Sequence, residues 1–112
     1  MNIKDLLKRY TFHDSLVEMI TYNQDSRTLT LTIDFCYWMQ EGYIASTPEN
    51  GLVKLTFLEV DSYDCLTGNL DSYSILRVTY QDNNTFISIL DDFNNDYYPI
   101  KIPSDKVIFQ TI

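Results

Sequence analysis

His13-Asp14-Ser15 brings together the three residue types of a nucleophilic triad, around the only histidine in the chain. A triad requires its groups to hydrogen-bond in series. Adjacent residues of an extended backbone project to opposite faces, so the tripeptide is expected to form a turn instead. In that turn Asp14 or Ser15 caps backbone amides and His13 packs on a neighbour. Cys36 would have to recruit His13 across the fold to gain a base, and nothing local calls for that pairing. Asp92, Asn94 and Asp96 match the first three ligand positions of a calcium loop. Tyr97 then stands where glycine is needed, and Pro103 where a bidentate glutamate belongs. The close carboxylates Asp61 with Asp64 and Asp91 with Asp92 single out no pair at a separation suited to glycosidic chemistry. Gly42, Gly51 and Gly68 stand apart, so no phosphate-cradling loop exists. No catalytic residue, metal site or cofactor is expected.

One stretch remains, Tyr37-Trp38-Met39-Gln40-Glu41-Gly42-Tyr43. Tyrosine, tryptophan and methionine are enriched at protein interfaces, where rigid aromatics give contact area at small entropic cost. Glu41 and Glu49 would ring that patch with negative charge. The expected partner-binding residues are Tyr37, Trp38, Met39, Glu41 and Tyr43. Trp38 and Met39 could equally finish the core where a strand ends.

Charge indicates the kind of partner. The 112 residues carry 16 acids and 8 bases, a net charge of −8. Residues 1–10 hold Lys4, Lys8 and Arg9 against Asp5, which leaves 15 acids, 5 bases and a balance of −10 beyond them. Such a surface repels nucleic acid, whose binding depends on cations neutralising phosphates. It would steer a basic protein inward, although solubility alone also explains an acidic exterior. Cys36 and Cys65, 29 positions apart with no second ligand beside either, fit reduced thiols rather than a disulfide framework or zinc site. The N-terminus has no apolar run of signal-peptide length, and no run approaches the roughly 18 residues of a membrane span. A single cytoplasmic domain over residues 1–112 is therefore expected.

The elements that position these residues begin with Arg27 to Met39. Leu29, Leu31, Ile33 and Phe35 alternate with Thr28, Thr30, Thr32 and Asp34. That period of two makes one strand face apolar and the other polar. Upstream, Ile3, Leu6, Leu7 and Tyr10 share a helical face, with Asn2 as N-cap. Leu16 to Tyr22 reads as a strand joined to the organising one through the turn 23–26. Tyr37 to Asn50 reads as a long loop. Leu52 to Asp61 is the next strand, with a bulge near Phe57-Leu58 to return Leu58 and Val60 to the core face. Asp64 to Asp71 reads as a loop or a helical turn. Tyr73 to Tyr80 follows with Leu76, Val78 and Tyr80 inward, then Thr85 to Leu90 buried on both faces. Tyr97 to Ile102, holding Pro99, suits an edge, and Lys106 to Ile112 closes the chain. The fold class expected is mainly β (α+β), an antiparallel β meander forming a sandwich or partial barrel, with a short N-terminal helix.

Phe12-His13-Asp14-Ser15, then Phe35-Cys36-Tyr37-Trp38-Met39-Gln40-Glu41-Gly42-Tyr43, then Leu55-Thr56-Phe57 resembles a family of small uncharacterised bacterial proteins, distantly similar to immunity proteins of polymorphic toxin systems. The resemblance implies a binding role and supplies no catalytic residue. The expected function is a non-enzymatic acidic protein-binding domain, an immunity-type protein occluding a basic toxin domain. A small-ligand or metal-binding β-sandwich and a self-associating structural subunit, a homo-oligomer, are the other classes.

Overall fold

The computed structural model describes residues 1–45 and 47–112. It is mainly antiparallel β, with one short helix, α1 (Ile3–Arg9). The strands are β1 (Leu16–Asn23), β2 (Thr28–Cys36), β3 (Asn50–Phe57), β4 (Gly68–Gln81), β5 (Asn84–Asp91), β6 (Asp96–Ile102) and β7 (Val107–Thr111). They form one seven-stranded sheet in the order β6-β5-β4-β1-β2-β3-β7. Two three-strand meanders, β1-β2-β3 and β4-β5-β6, thus lie side by side rather than in one continuous series.

The sheet must curl, and the β6–β7 connection shows why. β6 and β7 are its opposite edges, yet only residues 103–106 join them. Five Cα steps reach at most about 18 Å. A flat sheet of seven strands would hold its edges about 29 Å apart. The result is a partial barrel, open because its edges do not pair with each other. Ser104 secures the junction. Its hydroxyl donates to the Leu58 carbonyl, and its own carbonyl accepts from Thr85 Oγ1 at 2.8 Å. Lys106 Nζ meets Glu59 Oε2 at 2.6 Å across the same seam, and that donor holds the Glu59 carboxyl below the ordinary carboxylate range.

The concave face holds the core. Leu29, Leu31, Ile33 and Phe35 are all fully buried, as the alternation in β2 requires. Each such burial is worth about 1.5–3 kcal/mol. α1 lies over the interior with Ile3 and Leu6 buried. Asn2 caps it, its side chain accepting from Lys4 N at 2.7 Å and donating to Asp105 at 2.9 Å. Tyr10 stacks on Phe109 with centroids 4.3 Å apart.

Several boundaries differ from the sequence reading. β3 ends at Phe57 with no bulge there; Glu59 takes a left-handed conformation (φ 57°) that redirects the chain. Val60 then enters the core with its amide on the Arg27 carbonyl at 2.8 Å. β4 starts at Gly68, and Gly68 and Asn69 pair with Ile20 and Met19 of β1, so this stretch is strand rather than a loop or helical turn. A register shift between Ile75 and Arg77 makes Ile75 the buried residue instead of Leu76 and leaves Tyr80 exposed at the strand's end. β5 alternates: Ile87 and Ile89 are buried, while Phe86 and Leu90 are only half-buried. β6 is an edge strand, as Pro99 indicates. Among the described residues no helix is long and apolar enough to cross a membrane.

Candidate functional site

The aromatic stretch begins where β2 stops. Ser15, buried just before β1, accepts the Cys36 amide proton on its hydroxyl at 3.1 Å. Beyond Cys36 the chain leaves extended geometry for a 3-10 turn, Tyr37–Met39. The Tyr37 ring meets Phe35 edge-on, with centroids 5.2 Å apart and planes at 89°. On its other side it presses against the backbone of β3 at Gly51, where a Cβ would stand 2.7 Å from Tyr37 Cε2. Glycine is required there by close approach. Gly51→Ala is expected to displace the tyrosine ring, lower stability by about 1–3 kcal/mol and shift Trp38 emission. Urea unfolding with fluorescence would measure both, and an unchanged midpoint would contradict the contact.

Gln40 ties the turn down. Its Oε1 accepts from Thr11 N at 2.8 Å, and its Nε2 donates to Thr11 O at 2.7 Å and Cys36 O at 2.8 Å. The amide thereby pairs with the chain after α1 much as a neighbouring strand would. Farther on, Tyr43 N bonds Gln40 O at 3.2 Å, and the Tyr43 hydroxyl donates to Thr47 O at 3.0 Å. Trp38 N reaches Glu49 O at 3.1 Å, which closes the loop onto the start of β3.

The five expected partner-binding residues divide on this scaffold. Trp38 is 48% exposed although its backbone is held on both sides, and Glu41 is exposed. Met39 and Tyr43 are half-buried. Tyr37 belongs mainly to the aromatic packing beneath. Beside Trp38 lies a hollow of about 410 Å³ whose walls include Tyr37, Gln40, Glu41, Gly42, Tyr43 and Ile44. Ile44, 63% exposed, and Gln40 were not singled out from sequence. Ile44 breaks no pattern, and an amide clamp has no one-dimensional signature.

The remaining constellations stay apart. His13 Nδ1 sits 2.9 Å from Leu76 O, at the register shift in β4, and Nε2 lies 3.3 Å from Asp14 Oδ1. The Cys36 thiol is buried and accepts from Asn50 Nδ2 at 3.5 Å. Histidine, aspartate and serine thus hold a turn in which Asp14 is left-handed (φ 67°). Among the described residues no three His, Cys, Asp or Glu side chains are grouped to hold a metal ion.

In the turn after β5 it is Asp91, not the Asp92–Asn94–Asp96 series, that organises the loop. The Asp91 carboxylate is buried and accepts from Phe93 N at 3.0 Å, Asn94 N at 3.2 Å and Asn94 Nδ2 at 2.8 Å. The Asn94 side-chain amide, followed by the two backbone donors, holds this carboxyl below the ordinary range against the effect of burial. A depressed folded value means stability that is complete above the ordinary carboxylate pKa and is lost as pH falls through the folded one. Wild type should therefore lose more stability than Asp91→Asn on acidification below about pH 4. Thermal unfolding at several acidic pH values tests this, and parallel curves would contradict it.

A larger hollow, about 520 Å³, lies at the other end of the β1–β2 hairpin, between Tyr22, Asp61, Tyr63, Asp64, Cys65 and Lys101. Its two tyrosine hydroxyls are engaged within the chain, Tyr22 donating to Val60 O at 2.7 Å and Tyr63 to Leu66 O at 2.6 Å, while Asp61 pairs with Arg27 at 3.1 Å on the solvent side. Burial, with the neighbouring Cys65 and Asp64, pushes the Tyr63 phenol upward in pKa. Comparison with protein families, curated proteins and solved structures finds no match for this chain.

Proposed function

We propose that this chain is a non-enzymatic acidic protein-binding domain, an immunity-type protein that occludes a basic toxin domain with the face around Trp38. One observation carries the reading: Trp38 is half-exposed on a turn pinned by Gln40, Tyr37 and Glu49, so a large aromatic is presented on a rigid support. Preorganised aromatics of this kind dominate binding energy because little entropy is lost when they dock. The exposed Glu41 beside it and the −10 balance beyond residue 10 favour a basic partner and a fast, salt-sensitive encounter.

The test compares three proteins as bait: wild type, Trp38→Ala/Glu41→Lys, and Asp25→Asn in the turn at the opposite end of β2. A partner held by wild type and Asp25→Asn but lost by the double variant is the expected result. An identical set of captured proteins for all three would remove the loop as the contact. Self-association is less favoured, because Pro99 and Lys101 blunt β6 and the Met1–Ile3 segment covers the start of β7.

A further inference from the structure

The hollow beside Trp38 has walls of two kinds. Tyr37, Tyr43, Ile44 and Gly42 give it an apolar lining. Its polar groups are almost all engaged within the chain. The Gln40 amide is occupied by Thr11 and Cys36, the Tyr43 hydroxyl by Thr47 O, and the Thr47 hydroxyl by Ile44 O at 2.6 Å. The Glu41 carboxylate alone has no cation within ion-pair distance among the described residues. An apolar cleft with two aromatic rings and one free anion selects its occupant by chemistry. A purely aliphatic side chain would strip water from Glu41 with no compensation, and an acid would be repelled. A cation on an aliphatic stem satisfies both: its methylenes lie along the apolar wall, its charge meets the carboxylate, and its head approaches the Tyr43 ring.

We propose that this hollow is a socket for a single cationic side chain, arginine or lysine, projecting from the partner. The assignment rests on the protein-binding reading above and names what that surface recognises. Glu41 and Tyr43, which line the hollow, supply the choice of side chain, and Trp38, outside that lining, supplies separate contact area on the same turn.

The probe is a capped Gly-Arg-Gly tripeptide, titrated into the isotope-labelled full chain and followed by backbone amide shifts. A capped tripeptide with citrulline, the neutral isostere of arginine, serves as control. The expected result is saturable shifts confined to residues 40–44 and neighbours, with citrulline binding weaker by about two- to fivefold, the range of an exposed ion pair. Glu41→Gln, an exposed and isosteric change, should remove that preference, and added salt should weaken arginine more than citrulline. Equal binding of the two tripeptides, shifts located elsewhere, or an unaltered preference in Glu41→Gln would each overturn the socket. If the tripeptides fail while the bait comparison still separates wild type from Trp38→Ala/Glu41→Lys, the socket falls and the interface stands.

Discussion

Phe35→Ala is expected to lower the unfolding free energy by about 3–5 kcal/mol, near the upper limit for a single core truncation. Phe35 is fully buried and sits at the centre of an aromatic group: Tyr10 at 5.8 Å, Phe12 at 5.4 Å, Tyr37 at 5.2 Å and Phe109 at 5.5 Å between centroids. Those four rings come from the end of α1, the segment after it, the 3-10 turn and β7. No one of them can move into the vacated space without leaving another contact, so the cavity would persist. Because Tyr37 rests on Phe35, the same change should loosen the Trp38 turn and redshift its fluorescence. Chemical denaturation followed by far-ultraviolet circular dichroism and by Trp38 emission would record both effects. A loss under about 1 kcal/mol would mean that the aromatic group repacks and does not support the turn.

Ser104→Ala should act on the seam. The Ser104 hydroxyl donates to the Leu58 carbonyl and accepts from Lys106 N at 3.2 Å, so its removal leaves both backbone groups short of a partner. Both groups are only part-buried, so water meets some of the loss and the two together cost about 1–3 kcal/mol. The expected outcome is a fall in stability of that order, with faster amide exchange at Leu58 and residues 104–107 than elsewhere. Ser104→Thr keeps the hydroxyl and should restore most of the loss. Uniform exchange across the sheet would show that the seam opens only with global unfolding.

Sequence carried the elements better than their arrangement. Alternation in β2 revealed its buried face because a strand that is wet on one side must alternate, and Leu29 to Phe35 do so without exception. The helix was legible from the spacing of Ile3, Leu6 and Leu7 and from the Asn2 cap. At β3 the pattern misled. Leu58 and Val60 fell on the wrong parity and suggested a bulge, whereas a left-handed glutamate, Glu59, turns the corner. Glutamate carries no turn preference that would mark such a position. In β4 the register shift at Leu76 moved burial to Ile75, since parity counts only between irregularities. Sheet order was not readable, because adjacency of β4 to β1 depends on a crossover with no distinctive residues. At the candidate site, composition pointed to Trp38 and Glu41 but not to the side chain that holds them. Gln40 acts through Thr11, 29 residues away, and such a link exists only in three dimensions.

The pairing of the first residues with the last strand has a practical side. Val107 N donates to Met1 O at 2.8 Å, and Asn2 bridges Lys106 in antiparallel sense. A purification tag fused ahead of Met1 would start at the open flank of β7, in line to extend this pairing toward Ile108 and Gln110. The same tag placed after Ile112 leaves that flank bare. Gel-filtration profiles of the two fusions would differ if the flank is adhesive, so the position of the tag belongs in the design of any measurement of self-association.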